Sequence, residues 1–143
     1  MGKELYFEDV NVGDELPPLN KEPITRAQIV RYAGASGDFN ALHFDDEVGK
    51  NAGMGGIIAH GMLIMGFAGQ AVTQWFPRKY LRGFGARFVG MGRVGDEVTV
   101  KGIITQKGQE NGENIISGNL EVVGQDGSVK ITGDFKVALL NKA

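Results

Sequence analysis

The run from Ile57 to Phe76 constrains this chain most. It is apolar almost all round, broken by His60, Gln70, Thr73 and Gln74. A run of that length could cross a bilayer. Its glycines and glutamines weaken that reading, and alternating segments follow it directly. A helix apolar on every side in a water-soluble domain is a buried one, so other parts of the chain must wrap it and no membrane span is expected. Gly66, Ala68, Gly69 and Ala71 are small enough for a sheet to approach the helix closely, or for a tunnel to run beside it. Trp75-Phe76-Pro77 closes the helix, because proline cannot continue it.

The wrapping layer is legible downstream. Phe84, Ala86 and Phe88 alternate with Gly85 and Arg87, then Val94-Gly95-Asp96-Glu97 turns the chain. Val98, Val100, Gly102 and Ile104 make one face of the next strand, and Ile116, Gly118, Leu120 and Val122 make another. Asn111-Gly112 between them is the strongest hairpin dipeptide. Gln125-Asp126-Gly127 predicts a second hairpin, followed by alternation from Val129 through Leu139. Upstream, Thr25 suits a helix N-cap, Ile29, Val30, Tyr32 and Ala33 form an apolar stripe, and Gly34 and Gly37 end the helix. Asp45-Asp46-Glu47 starts a short helix, and Asn51 to Gly56 is a loop. Leu5 to Leu16 reads as an arm with a Val-Gly-Asp turn, and three prolines keep the next piece extended. Helix, loop, buried helix and then a meander predict an α+β domain, its antiparallel sheet wrapped around a long central helix. The 143 residues suit one domain, 1–143.

Composition removes several classes of function. There is no cysteine, which excludes disulfides and thiolate chemistry, and the net charge of −2 does not suit a nucleic-acid binder. The acidic start, MGKELYFEDV, has no signal-peptide core, so a cytoplasmic location is expected. Residues 48–95 carry six bases and no acid. Gathered on one face, they would suit a phosphorylated carrier such as coenzyme A or phosphopantetheine; dispersed, they would pair with acids from elsewhere.

Both histidines of the chain fall between Tyr32 and Met62, with Asp38 just before the first. Asp38 and His43 lie on different faces of any regular element. They converge only if the loop between them bends, which Gly37 and Asn40 permit. A carboxylate beside an imidazole can hold a water, take a proton from it and return one. Gly61 sits in the first turn of the central helix. Its N–H has no partner within the helix and points where negative charge is favoured, so it can stabilise a developing oxyanion. His60 is expected to fix the helix start. His43, His60 and Asp45 meet no metal-ligand spacing, so no metal is expected, and no cofactor is implied.

Tyr32-Ala-Gly-Ala-Ser36-Gly-Asp38-x-Asn40-x-Leu42-His43, followed by Ile58-Ala-His60-Gly61-Met62, resembles the hydratase 2 signature. The chain is similar over almost its whole length to the MaoC-like hot-dog family of (R)-specific enoyl-CoA hydratases and 3-hydroxyacyl dehydratases. Single-domain acyl-carrier dehydratase subunits of the actinobacterial type look closer than multidomain members. One departure is Ala41, where the family usually has proline. The resemblance implies reversible hydration of trans-2-enoyl thioesters, on CoA or acyl carrier protein, to (R)-3-hydroxyacyl thioesters. It implies Asp38, His43 and Gly61 as catalytic groups, Ser36, Asn40 and His60 in support, and Met62, Met65 and Gly69 along the acyl chain. It also implies a homodimer joined edge to edge. The alternatives are the catalytic subunit of a heterodimeric dehydratase and, further off, a hot-dog thioesterase.

Overall fold

In the computed structural model, which describes residues 4–143, the strands form one antiparallel sheet in the order β1-β3-β4-β5-β2. They are β1 (Leu19–Asn20), β2 (Leu81–Phe88), β3 (Val98–Glu110), β4 (Glu113–Gly124) and β5 (Val129–Ala138). The helices are α1 (Arg26–Ser36), α2 (Asp46–Asn51) and α3 (Gly61–Trp75). Both expected hairpins form. Asn111 (φ 51) and Gly112 (φ 78) are left-handed, as the mirror-image turn between twisted strands requires. The second closes through Gly124 N–H to Ser128 O at 2.8 Å. Val98, Val100, Ile104, Ile116, Leu120, Val122, Ile131, Phe135 and Val137 are buried, in one cluster with Phe67, Ala68, Ala71, Val72 and Trp75 of α3. This is the sheet-around-helix α+β architecture that the pattern and the resemblance implied.

Four local expectations need correction. The strands are not a simple meander. β3, β4 and β5 are one, but β2 pairs with β5, matching Phe84 to Phe135 and Phe88 to Ile131. One side of β3 is taken by β1 and by Glu15, the other by β4, so the chain leaving α3 joins the free side of β5. That makes β2 an edge strand, and its last residue, Phe88, stays 49% exposed.

The central helix starts at Gly61, not Ile57. Residues 57–60 are extended because their backbone bonds go to other segments: Ile58 N–H to Leu42 O (3.0 Å) and Ala59 N–H to Gly92 O (2.8 Å). The helix is not buried all round either. Met62, Gly66, Gln70 and Gln74, one per turn, line an exposed face. Close approach to the sheet comes from the sheet's own glycines as well: a Cβ on Gly102 would lie 2.5 Å from the Trp75 ring, whereas Gly66 faces open space. In α1, Thr25 caps as expected, accepting from Gln28 N–H at 3.0 Å, but Val30 is exposed, so Ile29 and Ala33 carry that helix's burial.

The bases of the middle third do not all stand free. Arg82 pairs with Glu113 at 2.7 Å, and the Arg93 guanidinium donates to the Met54 carbonyl. The Arg82 hydrogen bond holds the Glu113 carboxyl below the usual carboxylate range. Among the described residues, no helix is long and apolar enough to cross a membrane.

Candidate active site

The site is built where three segments meet: the loop after α1, the extended piece before α3, and the end of β2. Gly37, at φ 76, ends α1 and turns the chain. Short polar side chains then shape the loop. Asp38 N–H donates to Ser36 Oγ (3.1 Å), Asn40 N–H to Asp38 Oδ1 (3.2 Å), and Leu42 N–H to Asn40 Oδ1 (3.0 Å). The last bond caps a single 3₁₀ turn, Ala41–His43. Ala41 occupies its first position, where proline would also fit because that N–H needs no partner in the turn. The departure from the family pattern therefore leaves the backbone route intact.

The bend brings the expected pair together. His43 Nε2 lies 3.6 Å from Asp38 Oδ2, with the histidine side chain 11% and the aspartate side chain 52% exposed. His43 Nδ1 is 2.8 Å from the Ile58 carbonyl. A carbonyl only accepts, so Nδ1 carries a proton, and in the neutral form of the ring the Nε2 lone pair faces Asp38. At 3.6 Å the two acceptors do not bond each other; they are placed to share a donor such as water.

His60 is 1% exposed and stacks on His43, with ring centroids 3.8 Å apart and planes at 21°. It does not fix the helix start as expected. It is the N-cap residue of α3, yet its side chain makes no capping bond; its Nε2 faces the Asp38 carbonyl at 3.1 Å. Among the described residues no group accepts from the Gly61 N–H, which is the open donor expected at the start of α3. A Cβ on Gly61 would lie 3.1 Å from the Phe88 ring, so Phe88 walls this position. Met62 is 55% exposed beside it. Met65 and Gly69 are half-buried along α3, and a Cβ on Gly69 would touch Phe84 at 3.9 Å.

Asp38, His43 and His60 each offer a ligand atom within 4.8 Å of the others. The near-parallel rings, however, aim their lone pairs along parallel planes rather than at one point, a poor set for a tetrahedral ion. A groove of about 930 Å³ lies elsewhere, against the polar side of the sheet near Glu15, Arg87, Lys101, Glu121 and Asp134. It contains none of the groups above, and its lining mixes charged strand positions with Leu16, Pro18, Ile103 and Leu120.

Three contributors escape a reading of the sequence. The Ile58 carbonyl sets the His43 tautomer, the Tyr32 ring packs on His60 at 4.8 Å, and Phe88 covers Gly61. Ile58 acts through its backbone and Phe88 arrives from a distant strand, so neither leaves a local signal. Tyr32 lies in the motif but counted only toward a helical stripe.

The sequence pattern described as the MaoC like domain matches residues 9–126. The 3-hydroxybutyryl-CoA dehydratase of Methylorubrum extorquens is 31% identical over 104 residues, 68% of this chain and 62% of that protein. The mitochondrial 3-hydroxyacyl-(acyl-carrier-protein) dehydratase of Arabidopsis thaliana is 33% identical over 89 residues, 62% of this chain and 52% of that one. The matches thus span little more than half the length of these relatives. Among solved structures, an (R)-hydratase from A. caviae involved in PHA biosynthesis superposes with a TM-score of 0.79 at 28% identity, over 92% of this chain and 98% of that one.

Proposed function

Because the chain belongs to the MaoC-like family, we propose that it reversibly hydrates trans-2-enoyl thioesters to (R)-3-hydroxyacyl thioesters. The observation that carries this reading is the Asp38–His43 pair. Its Nε2 lone pair and carboxylate face each other at 3.6 Å, with the far nitrogen committed to Ile58 O. In the hydration direction the pair holds a water and removes one proton from it. The hydroxide oxygen bonds to Cβ, and the electron pair of the Cα=Cβ bond shifts toward the thioester carbonyl. The Gly61 N–H stabilises the oxygen as it becomes enolate-like. The pair then returns the proton to Cα, and dehydration is the reverse.

The acyl chain would run along Met62, Met65 and Gly69. The names of the relatives support both CoA and acyl carrier protein as the thioester's carrier. A cytoplasmic location belongs to the same reading. So does a homodimer joined through β2, an edge strand with one unpaired backbone side. Light scattering should give twice the chain mass, and a fully active monomer contradicts that assembly. If the chain is instead the catalytic half of a heterodimer, it is inactive until a second subunit is added.

The direct test uses trans-2-enoyl-CoA substrates of increasing chain length. Loss of enoyl absorbance without release of free CoA is the expected result. Release of CoA would replace the proposal with thioester hydrolysis.

A further inference from the structure

The two histidines tie the two halves of the site to each other. His43, on the 38–43 loop, donates from Nδ1 to Ile58 O on the segment before α3. His60, two residues beyond Ile58, reaches back through Nε2 to Asp38 O on the loop. By the same acceptor argument His60 carries its proton on Nε2. Among the described residues its Nδ1 is buried and has no partner, so the polar bond its side chain makes there goes to the backbone of Asp38. The other two bonds of Asp38, to Ser36 Oγ and from Asn40 N–H, span only two residues each and can shape the loop without anchoring it. The His60 bond spans 22 residues.

We propose that His60 is a positioning residue for the Asp38–His43 pair, an inference that rests on the catalytic reading of that pair. Its Nε2–H holds the Asp38 peptide so that the carboxylate faces His43. Its ring, stacked on one imidazole and packed by Tyr32, holds the plane of His43. Being 1% exposed, it does not meet the substrate. Both the ring and the donor are needed. Phenylalanine keeps a ring without the N–H, and glutamine keeps a donor at a similar reach without the ring.

Kinetics and NMR test this together. In His60→Phe, kcat on a short trans-2-enoyl-CoA should fall about 10- to 100-fold, the scale of a small misplacement of a reacting group, with KM and Tm near wild type. His60→Gln should recover several-fold of that loss. The chain has only two histidines, so a long-range ¹H–¹⁵N spectrum of tag-free protein at pH 8, where an ordinary imidazole is neutral, contains two rings. His43 should show Nδ1–H and His60 Nε2–H.

Wild-type kcat in His60→Phe, a raised KM at unchanged kcat, His60→Gln no better than His60→Phe, or a His60 proton on Nδ1 would each overturn the proposal. If His60→Phe does not fold, the wild-type tautomers and the His60→Gln kinetics decide it. Wild-type protein that shows the expected tautomers but hydrates no enoyl thioester would defeat the reading of the function and leave the positioning contact standing.

Discussion

The hairpins of residues 98–138 and the looped stretch of residues 37–61 are specified by different bonds. In the hairpins, strand-to-strand pairs run over almost the whole of β3, β4 and β5, with one register shift in each ladder, and the turns are dictated by residues at the turns themselves. In the looped stretch, the regular pieces among the described residues are α2 and one 3₁₀ turn, and no strand ladder forms. Side chains of Ser36, Asp38, Asn40 and Asp45 bond nearby backbone, and His43, His60 and Asp46 bond backbone of distant segments. A region held by repeated backbone pairs tolerates change at any one polar side chain. A region shaped by single side-chain bonds loses local geometry when one is removed, but it can place polar groups where a ladder never would. Stability and chemistry should therefore separate along this line.

The largest separation is expected at the pair itself. Asp38→Asn and His43→Ala should each lower kcat by about 10²–10⁴-fold. Asp38 is half exposed and His43 lies outside the main core cluster, so Tm should barely move. Either variant folded and turning over normally breaks the assignment.

Next comes the start of α3. Gly61→Val should cost about 10²–10³ in kcat if the N–H meets the thioester oxygen. The added side chain also has to displace Phe88, which lies 3.1 Å from the new Cβ. Unchanged kcat in Gly61→Val would remove the electrophilic half of the mechanism.

The opposite behaviour is expected in the hairpins. A Cβ on Gly118 would lie 2.3 Å from the Phe135 ring and 2.7 Å from the Ile103 carbonyl. The ring can rotate, but the backbone oxygen cannot yield without disturbing β3. Gly118→Ala should cost about 1–3 kcal/mol of stability while leaving kcat per folded molecule unchanged, as chemical denaturation and active-site titration would show. A loss of kcat without a loss of stability would join the two regions that the comparison separates.

The smallest effect sharpens the boundary between them. Asp46, in α2, accepts from Ile57 N–H at 3.1 Å and from Arg26 at 2.9 Å. The Ile57 bond first, then Arg26, holds its carboxyl below the ordinary value of 3.8. A depressed carboxylate favours the fold where it is charged. Its contribution is complete above the unfolded value and fades as pH falls through the lower folded one. Asp46→Asn should therefore melt below wild type at pH 6, with the gap closing below pH 3.8. A gap unchanged down to pH 3 would mean that the charge does not hold the segment leading to His60.

Much of this molecule could be read before any coordinates. Period-two alternation, Asn111-Gly112, the Thr25 cap and Asp45 at the start of α2 are local rules. They held because each depends on residues within a few positions of one another. The residue types of the site were legible for a similar reason: Asp38, His43 and Gly61 sit in one short stretch with its own turn chemistry. Long-range choices were not legible. Whether β2 joins β3 or β5, where the apolar run stops being extended and becomes helix, and which carbonyl receives each imidazole all depend on groups that only the packed chain brings near. Ile58 to His60 looked helical because apolar residues suit a buried helix and a buried strand alike. What separated the two was the supply of partners for their backbone, from Leu42 and Gly92, and no window of sequence contains both sides of such a bond.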